Sequence, residues 1–306
     1  MEHRSIGSLR VSVVGLGCNN FGMRIDEAAT ARVVDAALEA GINFFDTADI
    51  YGSTKSEEFL GRALAGRRHQ AIVATKFGMA VDEQRKGARP EYVHRAAEDS
   101  LKRLRTDYID LYQLHQPDPQ VPIADTLGAL DQLVQAGKVK EIGCSNFSEA
   151  QLDEAARATR SGAAGFVSVQ NEYSLLHRDP ERSVLPACER LGLAFLPYFP
   201  LASGLLTGKY EPGKAAPKDS RLSLSWTSRF TTDRNVRVAE SLKAFAAARG
   251  HTLLDLAMSW LATRPRLASV IAGATTPEQV QANAVAVNWP LTRADVAEID
   301  HLTPVT

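Results

Sequence analysis

Four side chains in the first half of the sequence have the types and spacing needed for proton transfer. Asp46, Lys76 and His115 each follow a short apolar run, and Tyr51 lies five residues after Asp46. If the apolar runs are successive buried strands, the acid, the amine and the imidazole meet at one end of one sheet. Desolvated groups of these types perturb one another's proton affinity, which is how proteins build acid/base chemistry near neutral pH.

The four groups together suit the reduction of a carbonyl group or the oxidation of an alcohol. A free tyrosine has a pKa of about 10, and a neighbouring ammonium stabilises the phenolate, so we expect Lys76 to lower the pKa of Tyr51. Asp46 would keep the buried lysine charged, and His115 would donate a hydrogen bond to a substrate oxygen. No protein side chain supplies hydride, so this chemistry implies a nicotinamide cofactor.

Each of these residues also has an ordinary structural explanation when it is considered alone. Asp46 could cap a turn, Lys76 could point to solvent, and His115 could be a hydrogen-bonded histidine at a strand edge, because polar residues commonly begin where strands end. Three such coincidences on consecutive units are improbable. The pattern therefore favours a shared site.

The elements that must position these groups alternate between strand and helix patterns. After a predicted hairpin with strands near residues 4–6 and 10–14, eight strand-plus-helix units follow, and right-handed crossovers can close them into a (β/α)₈ TIM barrel. The predicted strands cover residues 15–18, 42–45, 71–75, 108–114, 139–144, 166–170, 193–197 and 267–271, and the predicted helices cover residues 26–40, 56–65, 91–104, 123–135, 148–160, 181–191, 233–248, 253–262 and 277–287. Residues 201–229 are predicted to form a long functional loop.

An open doubly wound sheet shares this alternation and is the alternative fold. Against it, the turn after the first predicted strand, Gly15-Leu16-Gly17, carries only the first two glycines of the dinucleotide-binding pattern. In a barrel, the carboxyl ends of the strands form the catalytic face, and Asp46, Lys76 and His115 would lie there.

Composition limits the class of protein and its partners. The chain has 306 residues, of which 44% are hydrophobic, and a formal net charge of -1 from 35 basic and 36 acidic residues. We predict one domain over residues 1–306, with small-molecule partners and neither nucleic acid nor membrane binding. The three cysteines are widely spaced, which disfavours disulfides and a metal site. A cytoplasmic location is expected because the N-terminus lacks an apolar signal segment.

Three segments resemble motifs of the aldo-keto reductase superfamily, and the similarity covers nearly the whole chain. They are Phe45-Asp46-Thr47-Ala48-Asp49-Ile50-Tyr51-Gly52, Thr75-Lys76-Phe77-Gly78 and Leu111-Tyr112-Gln113-Leu114-His115. The resemblance implies a (β/α)₈ barrel and a catalytic tetrad of Asp46, Tyr51, Lys76 and His115.

The resemblance also implies where a cofactor binds. Segments similar to those of the family would hold the nicotinamide carboxamide, stack on the nicotinamide ring, surround the pyrophosphate and contact the adenosine. The implied cofactor-binding residues are Gly17, Cys18, Asn19, Ser145, Asn146, Gln170, Tyr198, Pro200, Leu201, Gly204, Leu206, Gly208, Lys209, Arg221, Gly273, Thr275, Gln279 and Asn283. Phe199 departs from the family, because many relatives have serine at this position.

NADPH is the cofactor that the resemblance implies first. Branches that bind the 2'-phosphate strongly have Lys and Arg where this chain has Gly273 and Gln279, and an acid where it has Ala282. These differences leave NADH as the alternative.

The predicted substrate pocket contains Asn20, Phe21, Phe77 and Trp226, a mixed polar and aromatic lining. Such a lining suits aldehydes, ketones or aldoses without choosing between them. Two other functions compete with an oxidoreductase. One is a cofactor-binding regulatory subunit that resembles the β subunits of voltage-gated potassium channels. The other is a barrel isomerase or aldolase that forms a Schiff base on Lys76.

Overall fold

Strands and helices alternate along the chain, and the strands form one cylindrical parallel sheet with the helices outside it. The computed structural model describes residues 1–210, 221–223 and 225–304, and within these residues the sheet has eight strands in the order β10-β3-β4-β5-β6-β7-β8-β9. The strands are β3 (Val14–Gly17), β4 (Phe44–Asp46), β5 (Ile72–Phe77), β6 (Ile109–Leu114), β7 (Val139–Ser145), β8 (Phe166–Glu172), β9 (Ala194–Tyr198) and β10 (Val270–Gly273). A parallel bridge between Phe195 and Leu267 joins β9 to the segment before β10. The predicted barrel is confirmed over the open sheet.

The helices lie between the strands and follow the predicted pattern closely. They are α1 (Glu27–Glu39), α2 (Lys55–Ala63), α3 (Pro90–Leu104), α4 (Ile123–Gln135), α5 (Glu149–Ala158), α6 (Val184–Leu191), α7 (Asp233–Ala247), α8 (Leu253–Ala262), α9 (Pro277–Val285) and α10 (Arg293–Leu302). Local sequence sets their starts: the Asp26 side chain accepts a hydrogen bond from the Ala29 N–H, and Pro90 occupies the first turn of α3. None of these helices is long and apolar enough to cross a bilayer.

A two-stranded hairpin packs against the end of the barrel at which the strands begin. Its strands are β1 (His3–Ile6) and β2 (Leu9–Ser12), in antiparallel register. Ile6, Leu9 and Val11 form one apolar cluster with barrel side chains that include Leu111 and Leu196. The carboxyl ends of the strands are therefore the face that remains available for a site.

Several boundaries differ from the predictions. Strand β5 extends to Phe77, so Lys76 lies inside the strand and not beyond it, and β10 begins three residues later than predicted. The described parts of the predicted loop 201–229 form 3-10 turns at Ala202–Thr207, Arg221–Ser223 and Ser225–Phe230, and residues 211–220 and 224 lie outside the described residues. Helix α10 was not predicted. Its signal is a capping box, in which Thr292 and Asp295 satisfy each other's backbone N–H groups.

Candidate active site

The carboxyl ends of the strands surround a cavity of about 680 Å³. This volume is within the range of small-molecule and cofactor sites. Most of the predicted site residues line it: Gly17, Asn19, Asn20, Asp46, Tyr51, His115, Ser145, Asn146, Gln170, Tyr198, Pro200, Leu201, Gly204, Lys209, Arg221, Gly273, Thr275, Gln279 and Asn283. The sequence motifs therefore converge on one place, although they are spread over the whole chain.

Two predicted pocket residues do not line this cavity. Phe21 and Phe77 are fully buried in the apolar core, and the Phe77 ring stacks on Tyr112 at a centroid distance of 4.7 Å. Adjacent residues of a strand point to opposite faces. Because Lys76 points into the barrel, Phe77 points toward the helices. The side chain of Trp226 lies outside the described part of the structure.

Three predicted cofactor residues are also absent from the lining. Cys18 and Leu206 are fully buried in the core, and Gly208 ends the 3-10 turn Ala202–Thr207 in the loop that follows β9. The side chains of Cys18 and Leu206 therefore serve packing in this structure. Gly208 has a φ of +77°, so its glycine is explained by the turn.

The predicted tetrad is assembled around a buried ion pair. Lys76 Nζ donates to Asp46 Oδ2 at 2.6 Å, to the Thr47 carbonyl at 2.9 Å and to the Tyr51 hydroxyl at 3.5 Å. The ammonium thereby uses its three donors. Asp46 Oδ1 accepts from Gln170 Nε2 at 2.9 Å, so the acid is also held from its other side. A second donor to Asp46, Gln113 at 3.3 Å, was missed by the sequence reasoning.

The proton affinities of Tyr51 and Lys76 follow from this burial. Burial raises the pKa of Tyr51. The charge and hydrogen bond of Lys76 lower it, as predicted, but they do not cancel the effect of burial, so the net shift is upward. Burial acts to lower the pKa of Lys76, but Asp46 and Tyr51 outweigh it and the lysine pKa is raised. Tyr51 therefore holds its proton and Lys76 remains an ammonium at neutral pH.

His115 faces Tyr51 across the cavity as a neutral ring. The two rings meet edge to face with centroids 5.8 Å apart. Burial and the charge of Lys76 lower the pKa of His115 to about 3. Its Nδ1 is buried and has no hydrogen-bond partner among the described residues. A neutral imidazole carries one N–H donor, which suits hydrogen bonding to an uncharged oxygen.

Polar groups at the ends of β7, β8 and β9 form a connected wall beside His115. The Tyr198 hydroxyl donates to Asn146 Oδ1 at 2.8 Å, and Asn146 Nδ2 donates to the His115 carbonyl at 2.9 Å. The Ser145 hydroxyl donates to the Gln170 carbonyl at 2.7 Å. Asn146 has a φ of +62°, a left-handed conformation that Asn tolerates better than most residues. These hydrogen bonds hold the amide and hydroxyl groups of the wall in fixed positions beside the cavity.

The backbone of the loop after β9 has an unusual conformation. Phe199, Ala202 and Ser203 have φ values of +52°, +45° and +57°. A positive φ at an aromatic residue is uncommon and marks a backbone that its surroundings hold in place. The Ser203 hydroxyl oxygen is buried without a partner among the described residues. The Phe199 side chain lines the cavity.

Among the described residues, three cationic side chains line the cavity: Arg24, Lys209 and Arg221. Burial, and to a smaller extent the charge of Arg24, lower the pKa of Arg221 to about 10. The Asn19 and Asn20 side-chain oxygens are buried there without partners in the described chain. The cations suit the phosphate groups of an elongated ligand. The two amide oxygens can only accept hydrogen bonds, so they suit N–H or O–H groups of such a ligand. Sequence reasoning missed Arg24, whose only signal is a basic residue in the loop after β3.

Comparisons with known proteins agree with this geometry. The model of the Aldo/keto reductase family matches residues 13–304. A probable voltage-gated potassium channel subunit beta from Oryza sativa subsp. japonica is 34% identical over 312 residues, which cover 97% of this chain and 95% of that protein.

Two solved structures are also similar. An aldo-keto reductase from Bacillus halodurans, solved in its holo form, has 32% identity and a TM-score of 0.83, with 100% of this chain and 97% of that chain covered. A glycerol dehydrogenase from Gluconobacter oxydans has 31% identity and a TM-score of 0.85, with 98% and 94% covered. The barrel, the assembled tetrad and these similarities have one explanation: the chain belongs to the aldo/keto reductase family and is an oxidoreductase.

Proposed function

We propose that the protein interconverts aldehydes, ketones or aldoses and the corresponding alcohols with a nicotinamide cofactor, and that Tyr51 is the general acid and base. The observation that carries this proposal is the contact between the Tyr51 hydroxyl and the Lys76 ammonium at 3.5 Å, at the edge of a cavity that His115 also lines. A phenol needs such a neighbour because its proton is otherwise held too tightly for transfer at neutral pH.

Each group has a distinct part in reduction. A bound nicotinamide cofactor supplies the hydride. The Tyr51 hydroxyl gives its proton to the carbonyl oxygen, and Lys76 stabilises the phenolate that remains. Neutral His115 donates a hydrogen bond to the same oxygen, and Asp46 keeps the lysine charged throughout. In alcohol oxidation the same groups act in reverse, with Tyr51 as the base.

The polar wall suits the nicotinamide end of the cofactor, and the cationic side chains of the cavity suit its phosphate groups. We propose that Ser145, Asn146 and Gln170 bind the nicotinamide carboxamide and that the Tyr198 ring stacks on the nicotinamide. The residues proposed to contact the rest of the cofactor are Gly17, Asn19, Pro200, Leu201, Gly204, Lys209, Arg221, Gly273, Thr275, Gln279 and Asn283, and Arg24 joins them on the basis of the structure.

NADPH is the cofactor we propose, with NADH as the alternative. Gln279 Oε1 accepts from the Thr275 N–H at 2.8 Å and so holds the loop beside it. A neutral amide used in this way cannot replace a cation at a 2'-phosphate. We propose that any charge bound to a 2'-phosphate comes from Arg24, Lys209 or Arg221, which line the cavity.

Removing these charges is expected to weaken cofactor binding. Arg24→Gln, Lys209→Gln and Arg221→Gln should each raise the Kd for NADPH by about tenfold, because each loses one charge-assisted contact with a phosphate. His115→Gln should change the Kd much less. Fluorescence titration measures these constants, and Arg10→Gln, an exposed residue of the hairpin, is the matched control. Equal affinities in all five proteins would contradict the assignment of the phosphate end.

The proposed function is tested by an assay of nicotinamide oxidation and reduction across aldehydes, ketones and aldoses, run with NADH and NADPH. We expect carbonyl-dependent turnover with at least one class of substrate. Binding of cofactor without turnover across the panel would contradict the proposal.

That outcome would support the second candidate, a cofactor-binding regulatory subunit. The similarity to the rice channel subunit is compatible with this candidate. The assembled tetrad favours an enzyme, because a pure binding protein does not need Lys76 beside Tyr51. A Schiff-base enzyme is disfavoured, because Lys76 is a paired ammonium and does not line the cavity.

A further inference from the structure

A second group of buried acids lies behind the segment that carries Tyr51. Asp49 precedes Tyr51 by two residues and is 1% exposed. Its backbone N–H donates to the Lys76 carbonyl at 3.1 Å, so the same residue is tied to the strand that supplies the ammonium. Any displacement of Asp49 is therefore transmitted to both partners of the Lys76–Tyr51 contact.

Among the described residues, Arg103 acts on the Asp49 carboxyl group only through its charge, because its guanidinium is paired with Glu57. Asp49 Oδ1 is buried without a partner among the described residues, and Asp49 Oδ2 lies 3.5 Å from the Tyr92 hydroxyl, the limit of a hydrogen bond. The Tyr112 hydroxyl is likewise buried without a partner among those residues. A carboxylate in these surroundings would be expensive, whereas a protonated carboxyl could donate a hydrogen bond.

Glu57 on α2 forms an ion pair with Arg103 on α3. Its carboxylate is fully buried and accepts from Thr75 Oγ1 at 2.5 Å and from Arg103 Nε at 2.6 Å. The charged and titratable groups that act on Asp49 are then Glu57 from α2, Tyr92 and Arg103 from α3, and Tyr112 from β6. The Arg103 guanidinium is therefore close enough to influence both carboxyl groups, but it forms an ion pair only with Glu57.

Burial and the charge of Glu57 raise the pKa of Asp49 to about 7, against the smaller opposing effects of Arg103, the Ile50 backbone N–H and the Tyr92 hydroxyl. Asp49 is therefore largely protonated below neutral pH and loses its proton to solvent above it. An anion at this position would be repelled by Glu57 and drawn outward to water. Such movement would strain the Asp49–Lys76 backbone bond beside the reacting phenol.

We propose that Asp49 is a positioning residue, which holds the Tyr51 segment in its active geometry as a neutral carboxyl next to Glu57 and releases it when the proton is lost. The effect on turnover rests on the proposed function, but the protonation and the movement of the segment do not.

The test compares the wild type with Asp49→Asn and Glu57→Gln by NMR and by pH–rate profiles. With ¹³C-labelled aspartate and tyrosine, the Asp49 carboxyl signal should titrate at about pH 7, and the Tyr51 ring signal should shift in the same range. The wild-type kcat should fall by severalfold across that range. In Asp49→Asn, both the ring shift and the fall in kcat should disappear.

Glu57→Gln should move both transitions to lower pH by roughly one unit, since the repelling charge is gone and Arg103 becomes available to Asp49. Glu58→Gln, the adjacent and partly exposed acid of α2, is the matched control and should leave them in place. An Asp49 carboxyl that titrates near the ordinary aspartate value of 3.8, or a Tyr51 shift that survives in Asp49→Asn, would overturn the proposal. If Asp49→Asn does not fold, an unchanged transition in Glu57→Gln would overturn it instead. An inactive wild type with coupled Asp49 and Tyr51 shifts would sink the proposed function alone.

Discussion

Tyr51→Phe is expected to lower kcat for carbonyl reduction by roughly 10²-fold or more and to leave cofactor affinity unchanged. The substitution removes the one hydroxyl that contacts the Lys76 ammonium, and His115, neutral with a pKa of about 3, cannot supply a proton at neutral pH. The ring itself remains, so its contact with His115 is kept. The loss should therefore fall on the chemical step.

Steady-state kinetics and cofactor titration separate these two effects. Quenching of intrinsic fluorescence by the cofactor should persist in Tyr51→Phe. Tyr108→Phe, in a half-buried residue outside the cavity, is the matched control and should keep full activity. Unchanged carbonyl reduction in Tyr51→Phe would exclude Tyr51 as the general acid.

The second large effect is expected from breaking the buried ion pair. Lys76 is fully buried and its pair with Asp46 has an N–O distance of 2.6 Å, so Asp46→Asn leaves an ammonium without its countercharge. Removing one partner of a buried pair costs about 3–5 kcal/mol. We expect this loss in the free energy of unfolding, measured with urea, together with a large loss of kcat, because Lys76 no longer supports the phenolate of Tyr51.

A double variant separates stability from catalysis. Asp46→Asn combined with Lys76→Met removes both charges, and it should recover much of the lost stability but none of the activity. The control is Lys140→Met, which breaks a pair with Asp110 of similar length, 2.8 Å, but with a lysine side chain that is 47% exposed. That change should cost less than about 1 kcal/mol. A similar cost for Asp46→Asn and Lys140→Met would contradict the buried, tightly coupled pair.

Much of the fold could be predicted because its signals are local. Alternating apolar runs mark the barrel strands, and Asp26, Ser148 and Pro90 mark helix starts through capping chemistry that involves only near neighbours. The missed helix α10 had the same kind of signal in Thr292 and Asp295. Its boundary was therefore available in the sequence and was overlooked.

The convergence of Asp46, Lys76 and His115 at one place could be predicted for a related reason. Each of Asp46, Lys76 and His115 ends a strand or lies next to its end, and parallel strands bring those ends to one face. The direction of each side chain was harder to predict. Phe77 was assigned to the pocket because its segment was expected at the barrel mouth, yet strand alternation turns its side chain to the other face.

What could not be predicted depends on contacts between distant segments. The pKa of Tyr51 is set by the balance between burial and the Lys76 charge, and the motif shows the charge but not the burial. Arg24 and Arg221 lie almost two hundred residues apart in the sequence, and only the closed barrel brings their charges together. Gln113 became visible as a partner of Asp46 for the same reason.

The most direct test measures hydride transfer from the cofactor to a carbonyl, and the dependence of its rate on the Tyr51 hydroxyl, in a single turnover. Wild-type protein and Tyr51→Phe are mixed with an aldehyde that the wild type reduces and with NADPH deuterated at the transferring carbon of its ring. We expect deuterium in the product alcohol from the wild type and a rate lower by roughly 10²-fold or more in the variant. Deuterium transfer at equal rates in both proteins, or no transfer from any carbonyl in the wild type, would contradict the proposed function.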